Sequence, residues 1–308
     1  MAEGRLIAHH DEAIVLRTWP FHEADLLVSL FTREQGKVKG VARHAMKSRR
    51  RFGGALEPGT QVRAHYTERP REELVRLDSF EIAWSPLTAP VDALRLAGIE
   101  LVVEVVEEAM PELAAEDSVF RLAVAVLRAM EGEQRTEIRD QRSEIREQRA
   151  EIGELKAEIG EPGSRADGDA GLSTARTMKP SASVEMTELG RGDGVWVAVT
   201  YFCLWMNRLM GWWPELGHCA ACGLDLRGQD VWWSPVADGV TCGDDRRAQS
   251  RALSAESVAE SYRMGRSSLA QLMEEAWPRE RAADLRVFAV GVLERHLERR
   301  LRSAAGLG

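Results

Sequence analysis

Apolar and polar positions follow two different rhythms along this chain. Over the first 85 residues the rhythm is that of short strands. Residues 13–19 read AIVLRTW and residues 25–31 read DLLVSLF, both apolar and rich in strand formers. Gln35-Gly36 is a turn signal, and residues 37–41 alternate charged with apolar side chains. Pro58-Gly59 marks another turn, followed by residues 61–67 with Val62, Ala64 and Tyr66 at alternate positions. Residues 74–84 close the set with Leu74, Phe80 and Ile82. Five short strands in so short a stretch predict a small barrel, and the OB-fold is the best-known five-stranded form. After Pro86 the spacing changes to three and four, as in Leu94, Leu101, Val102 and Val105. Helices are predicted over residues 90–108, 119–130, 194–212, 264–276 and 281–301.

A third pattern lies between the second and third of these helices. Ile138, Ile145 and Ile152 recur every seven residues in EIRDQRS, EIREQRA and EIGELKA, and Ile159 follows at the same interval. A coiled coil needs a second apolar position per heptad. Gln141 and Gln148 occupy it here, and only Leu155 fits. The segment therefore reads as a charged, solvated insertion. Residues 160–187, rich in Gly, Ser, Ala and Asp, are expected to be disordered. Residues 131–190 together are expected to interrupt one helical domain.

Charge sharpens the picture of the first domain. The chain of 308 residues has a formal net charge of −8. That balance argues against DNA binding over the whole surface, but screening within roughly 8 Å at physiological salt allows a local basic patch. Residues 33–51 supply one: eight cations against Glu34 alone. A small β module with such a run points to a polyanion, most commonly nucleic-acid backbone. Lys37, Lys39, Arg43, Lys47, Arg49, Arg50 and Arg51 are the expected phosphate contacts, with Arg17 either secondary or stabilising the barrel. Phe52 and Tyr66 are the only plausible base-stacking aromatics nearby, which favours backbone contact. The arginines at the end of the last helix, Arg295, Arg299 and Arg300, read as a solvated face.

The cysteines supply the second candidate site. Cys219, Cys222 and Cys242 form C-x2-C, nineteen residues, then C-x2-D ending at Asp245. Paired knuckles at this distance are the form of a structural zinc ribbon, and zinc accepts a carboxylate oxygen. Asp245, His218 and Asp244 all remain open as the fourth ligand. The alternative is a degenerate knuckle that folds without metal, with Trp232 and Trp233 as a small core. Cys203, between Phe202 and Leu204, reads as a buried free thiol.

Enzymatic motifs are missing from the sequence: no GxxxxGK[ST], GxSxG or HExxH occurs. His22, Glu23 and Asp25 read as a turn, and His9 and His10 as a frayed terminus. No apolar run of 18 residues occurs, and the opening MAEGRLIAHHDEA lacks a signal-peptide core. A non-enzymatic, cytoplasmic protein without a membrane span is expected.

The residues so far resemble a known family, the bacterial DNA repair protein RecO. The resemblance is carried by AIVLRTWPFHEADLLVSLFTREQGKVKGVARHAMKSRRRFGGALEPGT and by the knuckles at 219–222 and 242–245. It spans residues 10–130 and 193–300. It implies an α+β protein: a five-stranded OB-fold over residues 1–85, then an all-helical domain over 86–308 with a zinc-ribbon-like subdomain inserted at 214–247. It further implies a recombination mediator, associated with the nucleoid, that binds single- and double-stranded DNA and anneals complementary strands. Such proteins engage single-stranded-DNA-binding protein and, with RecR, help load RecA onto gapped DNA. One structural zinc would sit at Cys219, Cys222, Cys242 and Asp245. Two features depart from the family pattern: Asp245 stands where many members have a fourth cysteine, and the 131–190 insertion is additional. The competing reading is a zinc-ribbon scaffold for protein partners that binds nucleic acid only weakly.

Overall fold

A computed structural model of the chain describes residues 6–47, 50–69, 72–88, 91–131 and 193–307. The heptad-like segment, the rest of the expected insertion beyond Glu131, and Arg49 lie outside the described residues. The five expected strands are present as β1 (Ile7–Phe21), β2 (Asp25–Thr32), β3 (Gly36–Ala42), β4 (Gln61–Glu68) and β5 (Val75–Trp84). They pair in the order β1-β2-β3-β5-β4, and β4 pairs back to β1, so the sheet closes on itself. All neighbours are antiparallel except β3 and β5, which run parallel from Gly40 opposite Val75 to Ala42 opposite Leu77.

β1 makes this closure possible because it is long enough to serve two partners. Its first half pairs with β4 and its second half with β2, with an irregularity between Val15 and Arg17 where the strand bends. This corrects the expectation of a frayed start. His9 and His10 are strand residues, stacked on Tyr66 and His65 at centroid distances of 4.9 and 4.0 Å.

Strand alternation gives the sheet two apolar faces on this side. Ala13, Val15, Val28, Leu30, Val62 and Ala64 fill the interior. Ile14, Leu16 and Phe31 point outward into the core of the helical region, where Phe31 meets Phe120 at 6.1 Å. The Ser29 hydroxyl donates to the Glu107 carboxylate at 2.6 Å across the same contact. At the turn between β2 and β3, Gly36 (φ +75°) lies directly beneath Ala114. A Cβ there would fall 2.2 Å from the Ala114 carbonyl oxygen. We expect Gly36→Ala to destabilise the protein by about 2–4 kcal/mol, combining left-handed strain with a backbone clash. Chemical denaturation would show it as a lower midpoint with unchanged slope.

The helical region comprises α1 (Ala93–Ala109), α2 (Asp117–Ala129), α3 (Asp193–Leu209), α4 (Ala255–Met264), α5 (Leu269–Met273) and α6 (Ala283–His296). α3 is apolar on all sides: Val195, Val197, Ala198, Val199, Phe202, Cys203, Leu204 and Met206 are all buried, which is the pattern of a central helix. Of the helix expected over 264–276 only the short α5 forms, and α4, which precedes it, was not expected. Ser254 caps α4, which ends at Gly265, and Ser268 with Gln271 forms a capping box that starts α5 afresh. Ser-Ser at 267–268 is thus a helix start, not a helix interior. A three-stranded sheet of order β7-β6-β8, from β6 (Val231–Trp233), β7 (Val240–Thr241) and β8 (Arg251–Leu253), carries the knuckles. Its last strand lies beyond the expected limit at 247. No helix among the described residues is long and apolar enough to cross a membrane.

Candidate nucleic-acid interface and metal centre

The cationic run divides in two according to which carboxylates the fold brings to it. The β2–β3 hairpin faces the α1–α2 connection, so its cations meet acids some seventy to eighty residues away. Arg33 donates to Asp117 at 2.7 Å and to Glu12 at 3.2 Å, and these partners raise its pKa, the Asp117 hydrogen bond most. Lys37 is buried, with its ammonium on the Glu107 carbonyl oxygen at 2.6 Å, while its own carbonyl accepts from the Leu113 amide. Lys39 pairs with Glu112 at 2.6 Å, which raises the Lys39 pKa and lowers that of Glu112. These three cations fasten the barrel to the helices.

The second half of the run is different. Arg43, Lys47 and Arg50 are exposed and have no carboxylate partner among the described residues. Arg51 is half-buried: it donates to the Arg43 carbonyl, its guanidinium lies 5.2 Å from the Phe52 ring, and its carbonyl accepts from the Phe80 amide. The loop after β3 is therefore fixed to β5 at Arg51 while its long cations extend into solvent. Beside it, a groove of about 690 Å³ is lined by Arg43, His44, Arg69 and Arg76 together with Glu72 and Glu73.

Several expected residues are placed elsewhere. Phe52 and Tyr66 are each only 2% exposed; Phe52 packs edge-on against Phe80 inside the barrel, so neither ring is available to a base. Arg17 lies against Trp19, its guanidinium 5.7 Å from the ring, on the side facing α1. There it is the last of several influences on Glu104: burial pushes that carboxyl up, and bonds from Ser303 and Arg302, with the Arg17 charge, more than offset the rise. His22 (φ +56°) stands at the β1–β2 turn, and Asp25 accepts from the His44 amide at 2.7 Å, so the trio is a turn as expected. Arg295 and Arg299 are not a free face: they pair with Asp238 at 2.7 Å and with Glu108.

The knuckles converge. The Cys219, Cys222 and Cys242 sulfurs and an Asp245 oxygen all lie within 4.8 Å of one another. Two tight turns produce this. The Cys219 carbonyl accepts from Gly223 (φ +77°), and the Ala220 amide reaches the Val240 carbonyl at 2.8 Å, placing the first knuckle beside the second. The Cys222 and Cys242 sulfurs are 3.9 Å apart, and an Asp245 oxygen lies 3.3 Å from the Cys219 sulfur and 3.2 Å from that of Cys242. Tetrahedral thiolate ligation at metal–sulfur distances near 2.3 Å requires sulfurs about 3.8 Å apart, so the donor set fits a cation. The sulfurs differ in acidity: the Asp245 carboxylate, accepting from Cys222, pushes that thiol up to about 12, while at Cys219 burial is more than offset by bonds from backbone amides, which hold its thiol below the usual value. Of the alternative fourth ligands, His218 is exposed and turned to Glu215 at 3.4 Å, and Asp244 lies outside the group. Trp233 anchors the sheet in the helical core against Phe288 at 5.2 Å, whereas Trp232 faces outward. Cys203 is buried as expected, and burial pushes its thiol up to about 12.

Comparison with known proteins extends over both regions. Residues 6–85 match the family Recombination protein O N terminal, and residues 186–305 match Recombination protein O C terminal. The DNA repair protein RecO of Koribacter versatilis (strain Ellin345) is 41% identical over 290 residues, 94% of each chain. The protein of the same name from Anaeromyxobacter dehalogenans (strain 2CP-C) is 28% identical over 290 residues, 94% of this chain and 91% of its own. That of Anaeromyxobacter sp. (strain K) is 39% identical over 118 residues, 38% of this chain and 46% of its own.

Proposed function

This chain belongs to the RecO family of DNA repair proteins, and from that premise we propose that it is a recombination mediator that binds single- and double-stranded DNA and anneals complementary strands. The observation that carries the reading is the exposed cluster of Arg43, Lys47 and Arg50 on a loop fixed to the barrel. Complementary strands repel each other through their phosphates. Cations on flexible stems lower that repulsion and leave base edges free to pair. Backbone contact needs no aromatic platform, in keeping with the burial of Phe52 and Tyr66. We assign the phosphate contacts to Arg43, Lys47, Arg49, Arg50 and Arg51, and the docking of barrel on helices to Lys37 and Lys39, with Arg17 close to Glu104.

On this reading residues 1–85 form an OB-fold DNA-binding domain and residues 86–308 a helical domain, with the 131–190 insertion and the ribbon at 214–247. The protein acts without turning over a substrate, in the cytoplasm at the nucleoid. It works with RecR to help load RecA onto gapped DNA coated by single-stranded-DNA-binding protein. One zinc, held by Cys219, Cys222, Cys242 and Asp245, would be structural, because four protein donors leave no position open for a reacting water. The test is annealing of two complementary labelled oligonucleotides over a salt series. Acceleration that weakens with rising salt supports the mediator. Absence of both binding and acceleration at low salt would leave the scaffold reading in its place.

A further inference from the structure

We propose that the outward face of the ribbon sheet is a second contact for single-stranded DNA, in which an unstacked base lies on the Trp232 ring and Arg246 and Arg247 take the flanking phosphates. The inference rests on the reading that this protein handles single-stranded DNA, and it adds a site apart from the barrel.

Alternation along β6 separates two adjacent tryptophans: Trp233 turns into the core and is 3% exposed, while Trp232 is left half-buried on the other face. The Arg246 guanidinium sits 4.8 Å from the Trp232 ring centroid. The ring lines a groove of about 200 Å³ with Ala220, Ala221, Gly239, Thr241 and Arg247. Small residues beside an aromatic face leave room for a flat ring. At Gly239 (φ +76°) even a Cβ would approach Ala220 to 2.8 Å, so the floor depends on glycine there.

Charge selects the ligand. Arg246 and Arg247 are exposed and have no carboxylate partner among the described residues, whereas Arg251 pairs across the sheet with Trp233 and lies over that ring on the other face. Of the nearby acids, Asp238 is held by Arg295 at 2.7 Å, Asp245 belongs to the cysteine cluster, and Asp244 is exposed. An aromatic platform edged by arginines is the combination that binds single strands without sequence preference. A base arriving on Trp232 displaces the Arg246 guanidinium from the ring, and the freed cation can follow the adjacent phosphate. A duplex keeps its bases stacked and cannot use the ring. The groove wall belongs to the first knuckle and Arg246 follows the second, so the metal centre would hold this site in shape.

The experiment uses the full chain as purified and an oligonucleotide carrying 5-bromodeoxyuridine. After irradiation the crosslinked peptide is identified by mass spectrometry. The Trp232 peptide is expected to be labelled. Trp232→Ala should lose at least about fivefold in single-strand affinity with little change for blunt duplex, and Trp232→Phe, which keeps a ring, should retain most of it. If Trp232→Ala proves unfolded, crosslinking of the unmodified protein and the phenylalanine variant decide. Labels confined to the barrel, with single-strand affinity unchanged in Trp232→Ala, overturn the proposal and leave the mediator reading intact. Loss of labelling to an acidic peptide competitor that leaves DNA bound elsewhere would assign the face to a protein tail, and also overturns it. A native protein that binds no oligonucleotide at all overturns both.

Discussion

Replacing Arg43, Lys47 and Arg50 together by glutamate is expected to lower single-strand affinity at about 0.1 M salt by at least a hundredfold and to abolish annealing. Each phosphate contact on a single strand contributes roughly −0.7 to the slope of log affinity against log salt. Three lost contacts remove about 2 from that slope, which at 0.1 M corresponds to about two decades in affinity. Reversing the charges adds repulsion to this loss. All three side chains are exposed and make no ion pair among the described residues, so the unfolding midpoint should hardly move. Lys37→Met is the opposite case: it removes a buried ammonium from the Glu107 carbonyl and should lower stability while leaving the salt slope nearly native. Salt-dependent binding by fluorescence anisotropy separates the two. Equal slopes for native protein and triple variant would end the case for this loop as the DNA surface.

The second large effect is expected at the knuckles. Cys242→Ser should remove bound zinc and loosen the ribbon, with new protease cleavage between about residues 214 and 253. Structural zinc is worth roughly 10–16 kcal/mol to the folding of isolated finger peptides at pH 7. Here Cys219 and Cys242 are also packed into the helical core, so part of the ribbon should survive without the ion. Asp245→Cys supplies a fourth thiolate and should tighten zinc, delaying its release to a chelator. Because thiols must lose protons to bind, zinc should leave as pH falls, and the loss should be steeper with pH in Asp245→Cys, whose fourth thiol must also be deprotonated. Metal content by mass spectrometry is the measurement. Stoichiometric zinc retained in Cys242→Ser, or none taken up by native protein, would refute the assignment.

β4 was legible because it buries alternate residues, Val62, Ala64 and Tyr66, and β1 and β2 because both their faces are covered and they read as apolar runs. The start of β1 was not. His9, His10, Asp11 and Glu12 carry no apolar signal, and they belong to a strand because their backbone pairs with β4. α4 was missed for a related reason: it buries only Ser257, Val258, Ser261 and Met264, two of them polar. The basic run was legible as a run but not in its division. A row of cations does not reveal that Glu107, Glu112 and Asp117 fold back onto its first half. The cysteine cluster was legible from spacing, with Asp245 first among three candidates for the fourth donor; preferring it to His218 and Asp244 depends on which way the second turn points.

The outward face of β1 and β2 has a consequence during synthesis. Ile14, Leu16 and Phe31 are covered by residues of α1 and α2, which reach the ribosome exit only after the whole barrel sequence has been made. At 5–20 residues per second, the roughly 45 residues between the end of β5 and the end of α2 take about 2–9 s to appear. For that interval a nascent barrel would show an apolar face with nothing to cover it. Expression of a fragment ending near residue 85 would make that exposure permanent and should yield aggregate unless a chaperone or a solubilising fusion shields it.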